Sequence, residues 1–129
     1  MKNYHQLFTF ARQVRNNAYV PYSNFKVGAA IEADDGKIYG GCNVENVSFP
    51  CGTCAEAGAI AAMICGGGKK IKKILVTADG DSLITPCGAC LQRILEFSTA
   101  ETQVLLADDK GVQKILSIQE LLPNAFKDF

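Results

Sequence analysis

Apolar positions along the chain fall into a helical pattern first and then into strand patterns. Leu7, Phe8, Ala11, Val14 and Ala18 recur at helical spacing, which predicts an amphipathic helix over residues 3–18, ended before Pro21. KVGAAIEA (26–33) and KIYGGCNV (37–44) read as two strands joined through the turn signal Asp35-Gly36. An Ala-rich stretch over 54–65 predicts a buried helix that stops at Gly66-Gly67-Gly68. IKKILVTA (71–78) is a third strand. CGACLQRILEF (87–97) is a helix with Leu91, Ile94 and Leu95 on one side. TQVLLAD (102–108) is a fourth strand, and residues 117–122 form a short helix before Pro123. A hairpin followed by alternating helices and strands predicts a mixed β-sheet flanked by helices on both faces, a three-layer α/β/α fold.

Length and composition keep this to one domain spanning 1–129. The chain has 129 residues, 48% hydrophobic and 20% charged, without a linker or low-complexity run. Its formal net charge is zero. A protein that grips a nucleic-acid backbone carries a basic excess, and here the only basic cluster is Lys69, Lys70, Lys72 and Lys73, ahead of the third strand. The balance favours a small uncharged ligand, with no nucleic acid and no membrane as partner. No apolar run reaches spanning length, and MKNYHQLFTFARQ lacks the apolar core of a signal peptide, so the expected location is cytoplasmic. Six cysteines in such a compartment point to metal binding or catalysis rather than to disulfides.

The cysteines cluster. FPCGTC (49–54) and TPCGAC (85–90) each hold a Pro-Cys-Gly-x-Cys unit. Two such pairs are the pattern of a structural four-thiolate zinc site. Both pairs, however, run directly into predicted helices. Thr53 with Glu56 matches a capping box, and Pro86 suits a first helical position. Cys54, Cys87 and Cys90 then lie at or near helix starts, where the positive end of the helix favours thiolate. Cys87 and Cys90 are also one turn apart and share a face. Three thiolates leave a fourth zinc position open, the mark of a catalytic site, and Glu56 is placed to move a proton there.

Cys-Ala-Glu followed by Pro-Cys-x-x-Cys resembles the signature of the zinc-dependent nucleoside deaminases. The likeness extends along most of the chain. Phe25 through Ala30, Asn43-Val44-Glu45-Asn46, Cys54-Ala55-Glu56, Pro86 through Cys90, and Leu121 through Phe126 occur in an order similar to the small homotetrameric type of the cytidine deaminase family.

This resemblance implies one Zn2+ per chain held by Cys54, Cys87 and Cys90, with Cys51 spare. It implies that Glu56 takes a proton from a zinc-activated water and delivers it to N3 of the cytosine ring. Hydroxide adds at C4, Glu56 protonates the departing amine, and ammonia leaves. Cytidine, and with it deoxycytidine, becomes the uracil nucleoside, a reaction of pyrimidine salvage. Asn43 and Glu45 are two apart at a strand end and point the same way. The family uses them, with Val44 between, for the ribose 3′-hydroxyl. Phe25 would lie against the pyrimidine, and the Ala55 N–H would bind the ring carbonyl. Phe126 would reach a neighbouring subunit's site in a homotetramer. The alternative substrate is another aminated nucleoside, such as an aminonucleoside antibiotic. Cys42 and Cys65 read as small buried hydrophobes. The chain departs from many relatives at Ala57 and Leu91, where those carry Arg. Arg93, one turn after Cys90, is either a substitute for that lost charge or a surface residue.

Overall fold

The computed structural model describes residues 4–128. α1 runs over His5–Arg15, so residue 3, where the pattern begins, lies outside the described residues. It stops three residues earlier than the pattern predicts. Asn16 and Asn17 follow, and such side chains compete with the helix for backbone groups. Ala18 is still buried, but as loop rather than helix.

β1 (Val27–Ala33) and β2 (Ile38–Cys42) form the hairpin around Gly36, whose φ is +80°. α2 (Ala55–Cys65), β3 (Ile71–Ala78), α3 (Gly88–Glu96), β4 (Ser98–Asp108), β5 (Gly111–Ser117) and α4 (Ile118–Leu121) follow. The five-stranded sheet has the order β2-β1-β3-β4-β5. β3 and β4 are parallel, joined over α3, and every other pairing is antiparallel. This is the predicted three-layer arrangement with a mixed sheet.

Strand alternation assigns each face. Ala29, Ile31, Ile74, Val76, Val104 and Leu106 point toward α2, α3 and α4, where Ala59, Met63, Leu91, Ile94 and Ile118 complete the larger core. Ala30, Leu75, Leu105 and Ala107 point the other way, to Leu7 and Ala11 of α1. Two glycines let the helices approach. A side-chain carbon on Gly28 would overlap the Ala11 carbonyl of α1. One on Gly41 would overlap the Ala55 carbonyl and the Ala59 amide of α2. Gly41 therefore sets how closely the start of α2 lies on the sheet.

β5 is absent from the sequence reading. GVQKILS carries its polar residues Gln113 and Lys114 on an exposed edge and shows only weak alternation. It is a strand because the Asp109–Lys110 turn folds it back on β4, pairing Leu105 with Ile115 and Val104 with Leu116. The cysteine reading also needs correction. Cys65 ends α2 and is exposed, and Cys42 is only half-buried, so neither is a core hydrophobe. No described helix is long and apolar enough to cross a membrane.

Candidate functional site

The starts of α2 and α3 converge on one face of the sheet. Cys54 is the N-cap of α2 and Cys87 the N-cap of α3, each with extended backbone and neither using its side chain as a cap. Two sequence expectations change accordingly. Thr53 does not cap α2, and the Thr53–Glu56 capping box does not form. Thr53 instead exchanges both backbone hydrogen bonds with Val44, each 2.9 Å, and this holds it extended outside the helix. Pro86 precedes the N-cap of α3 rather than opening the helix. A capping box does exist at Ser117 and Glu120, where α4 begins.

Freed from capping, Glu56 turns inward and is only 5% exposed. Its carboxylate meets the thiols of Cys54 and Cys90. One ligand atom from each of the three lies within 4.8 Å of the other two. The two sulfurs are 2.7 Å apart. The hydrogen bond between them, in which either sulfur can be the donor, brings the Cys54 thiol down to about 6 and pushes Cys90 up. The Ala57 N–H and the Arg93 guanidinium also favour the Cys54 thiolate. Burial raises the Glu56 carboxyl above the usual carboxylate range, and the neighbouring Cys54 charge adds to this. Arg93 Nη1 donates toward both sulfurs, 3.7 Å from Cys90 and 3.9 Å from Cys54. Arg93 is exposed at the surface and also faces the thiols, so both readings left open for it meet in one side chain.

Cys87 is exposed and does not join the Cys54–Glu56–Cys90 group, although its charge acts on Cys90. Cys51 sits exposed in a 3-10 turn, Phe49–Cys51, and is likewise outside the group. Thiols at two helix starts beside a carboxylate suit a borderline-soft ion such as zinc. The donor set fits that metal.

The Asn43–Glu45 segment is held just before Cys54. Tyr19 N–H donates to the Asn43 carbonyl at 3.0 Å, and Glu45 N–H donates to the Tyr19 carbonyl at 2.9 Å. Asn43 itself works as a clamp on the β1 approach. Its Oδ1 accepts from Val27 N–H at 2.9 Å, and its Nδ2 donates to the Phe25 carbonyl at 2.8 Å. Glu45 accepts from the backbone N–H of Tyr22 at 3.0 Å, the N–H of Ser23 at 3.1 Å, and the Ser23 hydroxyl. These bonds, the Ser23 hydroxyl first, hold its carboxyl below the usual range. Val44, Glu45, Tyr22, Phe49 and Thr53 line a cleft of about 340 Å³. Phe25 is 43% exposed. Ala55 opens α2, so its N–H is among the helix's donors without an intrahelical partner. Phe126 lies against α3, its carbonyl accepting from Gln92 Nε2 at 2.8 Å.

Residues 1–106 match the family model of the cytidine and deoxycytidylate deaminase zinc-binding region. The chain belongs to the cytidine and deoxycytidylate deaminase family. It is thus a hydrolytic deaminase by kinship. The cytidine deaminase of Sporosarcina psychrophila is 41% identical over 121 residues, which is 94% of this chain and 89% of that one. The crystal structure of cytidine deaminase from Burkholderia pseudomallei superposes with a TM-score of 0.88 at 40% identity, covering 95% of this chain and 98% of that one. The cytidine deaminase from Mycobacterium tuberculosis gives 0.84 at 36%, covering 98% of each.

In this deaminase, Tyr22 and Ser23 went unnoticed in the sequence, yet they form the turn that holds Glu45. Pro21-Tyr22-Ser23-Asn24 carried the signal, a polar turn directly after a helix-breaking proline.

Proposed function

We propose that this deaminase hydrolyses cytidine, and deoxycytidine with it, to the uracil nucleoside and ammonia, using one zinc ion per chain held by Cys54, Cys87 and Cys90. The observation that carries the reading is the Glu56 carboxylate, buried against two thiols where α2 begins. Zinc in such a thiolate set supplies Lewis acidity that brings the ionisation of water toward neutral pH.

The chain's own residues do the rest. Glu56 accepts the proton of the attacking water and passes it to N3 of the ring. As the C4–N bond breaks, it takes the proton of the new C4 hydroxyl and delivers it to the leaving amine, so water is consumed and ammonia released. A carboxyl group raised by burial holds a proton more readily than a free one, which suits it to accepting a proton and returning it. Glu45, kept ionised by the Tyr22–Ser23 turn, accepts a hydrogen bond from a ribose hydroxyl, and Asn43 and Val44 fix that segment. Phe25 covers the pyrimidine, and the Ala55 N–H binds its carbonyl.

Val47 at 80% exposure, Phe49 at 82% and Phe126 at 64% support association of the chains into a homotetramer, with Phe126 serving a neighbour's site. The reaction places the protein in pyrimidine salvage. The test is release of uridine and ammonia from cytidine, measured with and without a zinc chelator. Turnover that survives complete zinc removal, or none with zinc present, rejects the reading.

A further inference from the structure

Two positions flanking the thiols, Ala57 and Leu91, offer them no positive charge. Leu91 is 7% exposed and packs into the core beneath α3, where a charged side chain would be costly. Ala57 is small and borders a hollow between α2 and α3, lined also by Ile60, Ala61, Arg93 and Glu96. Arg93 enters the site from that side. Its Nη1 is 3.7 Å from Cys90 Sγ and 3.9 Å from Cys54 Sγ. Among the described residues it forms no ion pair with Glu96, although the two are one helical turn apart. The guanidinium has passed over the nearest carboxylate on its own helix and faces two thiols from different elements.

We propose that Arg93 is a positioning residue whose fixed positive charge, brought from α3, balances the surplus negative charge of the thiolate set. This rests on the zinc-dependent reading above. Three thiolates and one divalent ion leave one negative charge in excess. Such an excess weakens the electrophilic character of the metal and sets the ligand sulfurs against one another. A guanidinium at hydrogen-bonding range of two sulfurs opposes both, because it places a positive charge beside them. Groups of this kind, one shell beyond the ligands, typically change metal affinity or activity by about 10–100-fold. The absence of a large side chain at Ala57 is what leaves the hollow open for Arg93.

The experiment compares the zinc-loaded protein with Arg93→Gln, Arg93→Lys and the double variant Arg93→Gln/Ala57→Arg. Zinc transfer to a chromophoric chelator, kcat and KM for cytidine, and the melting temperature are measured for each. The expected result is zinc release about 10–100-fold faster in Arg93→Gln, with a fall in kcat and little change in KM. Arg93→Lys keeps most of both properties, and Ala57→Arg restores zinc retention to Arg93→Gln. Parental zinc release and kcat in Arg93→Gln overturn the proposal. So do equal losses in the Gln and Lys variants without rescue, which mark a packing role, and a rise in KM alone, which marks a substrate contact. A parent protein that holds no zinc defeats the proposed function itself, whereas a zinc-loaded, active parent with an unaffected Arg93→Gln variant defeats only this inference.

Discussion

Cys54 and Cys90 are 36 positions apart in the chain, and their sulfurs lie 2.7 Å apart in the fold. One comes from the N-cap of α2 and the other from the first turns of α3. Cys51 stands close to Cys54 in sequence but outside this meeting point. Cys51→Ser is therefore expected to keep full zinc occupancy by metal analysis, while Cys54→Ser and Cys90→Ser lose it. Cys87→Ser is expected to lose it as well under the proposed function, because Cys87, although outside the group, is the N-cap of α3 and one turn from Cys90. Equal zinc loss in Cys51→Ser and Cys87→Ser would revive the four-thiolate site.

Glu56→Gln separates chemistry from structure. No capping box is lost by this change, since α2 has none. Turnover is expected to fall by about 10²–10⁴-fold, the range for a general acid-base group. Zinc content should stay at the parental level. Because burial holds the carboxyl above its unfolded pKa, ionised Glu56 opposes folding at pH values above the raised pKa. The zinc-free variant is accordingly expected to melt no lower than the zinc-free parent at neutral pH, and the two to converge as pH falls below the unfolded pKa. A lower melting temperature at neutral pH would assign Glu56 a structural role.

Away from the site, Arg15 is 5% exposed and pairs with Asp79 and Asp109 at 3.2 Å each. The Gly80 N–H and then Arg15 hold the Asp109 carboxyl below its ordinary value. A lowered carboxyl stabilises the fold above its unfolded pKa, and the contribution is lost as pH falls through the folded one. Asp109→Asn should lower the melting temperature at neutral pH, with the gap to the parent closing in acid. A gap constant with pH, followed by thermal melts in a buffer series, would mean that the charge is immaterial.

Phe126 is 64% exposed, although its carbonyl is anchored to Gln92. If its ring serves an adjacent subunit, Phe126→Ala should raise KM for cytidine and leave zinc content unchanged. Sedimentation should show a tetramer without ligand, as interfaces of this kind are largely preformed. An active monomer at assay concentration would place the whole site within one chain.

The elements legible in the chain are those whose signals are local. Period and punctuation mark α1, α2, α3 and the strands β1 to β4, because one face of each is buried and the residues on it repeat at the element's own spacing. The Cys-Ala-Glu and Pro-Cys-Gly-Ala-Cys stretches are equally local, and their residue types and spacing single out Cys54, Glu56, Cys87 and Cys90, of which the fold brings Cys54, Glu56 and Cys90 together and leaves Cys87 exposed. What the tertiary structure decides are partnerships between distant segments. β5 exists because β4 offers it a ladder, not because Gly111–Ser117 alternates. Thr53 matches a capping box by spacing alone. Its backbone is taken by Val44, so α2 starts one residue later and Glu56 is released into the site. Arg93 could face water alone or the thiols from its place on α3. Which it faces depends on the space beside Ala57 on another helix, and the gap between two packed helices is not written in either one alone.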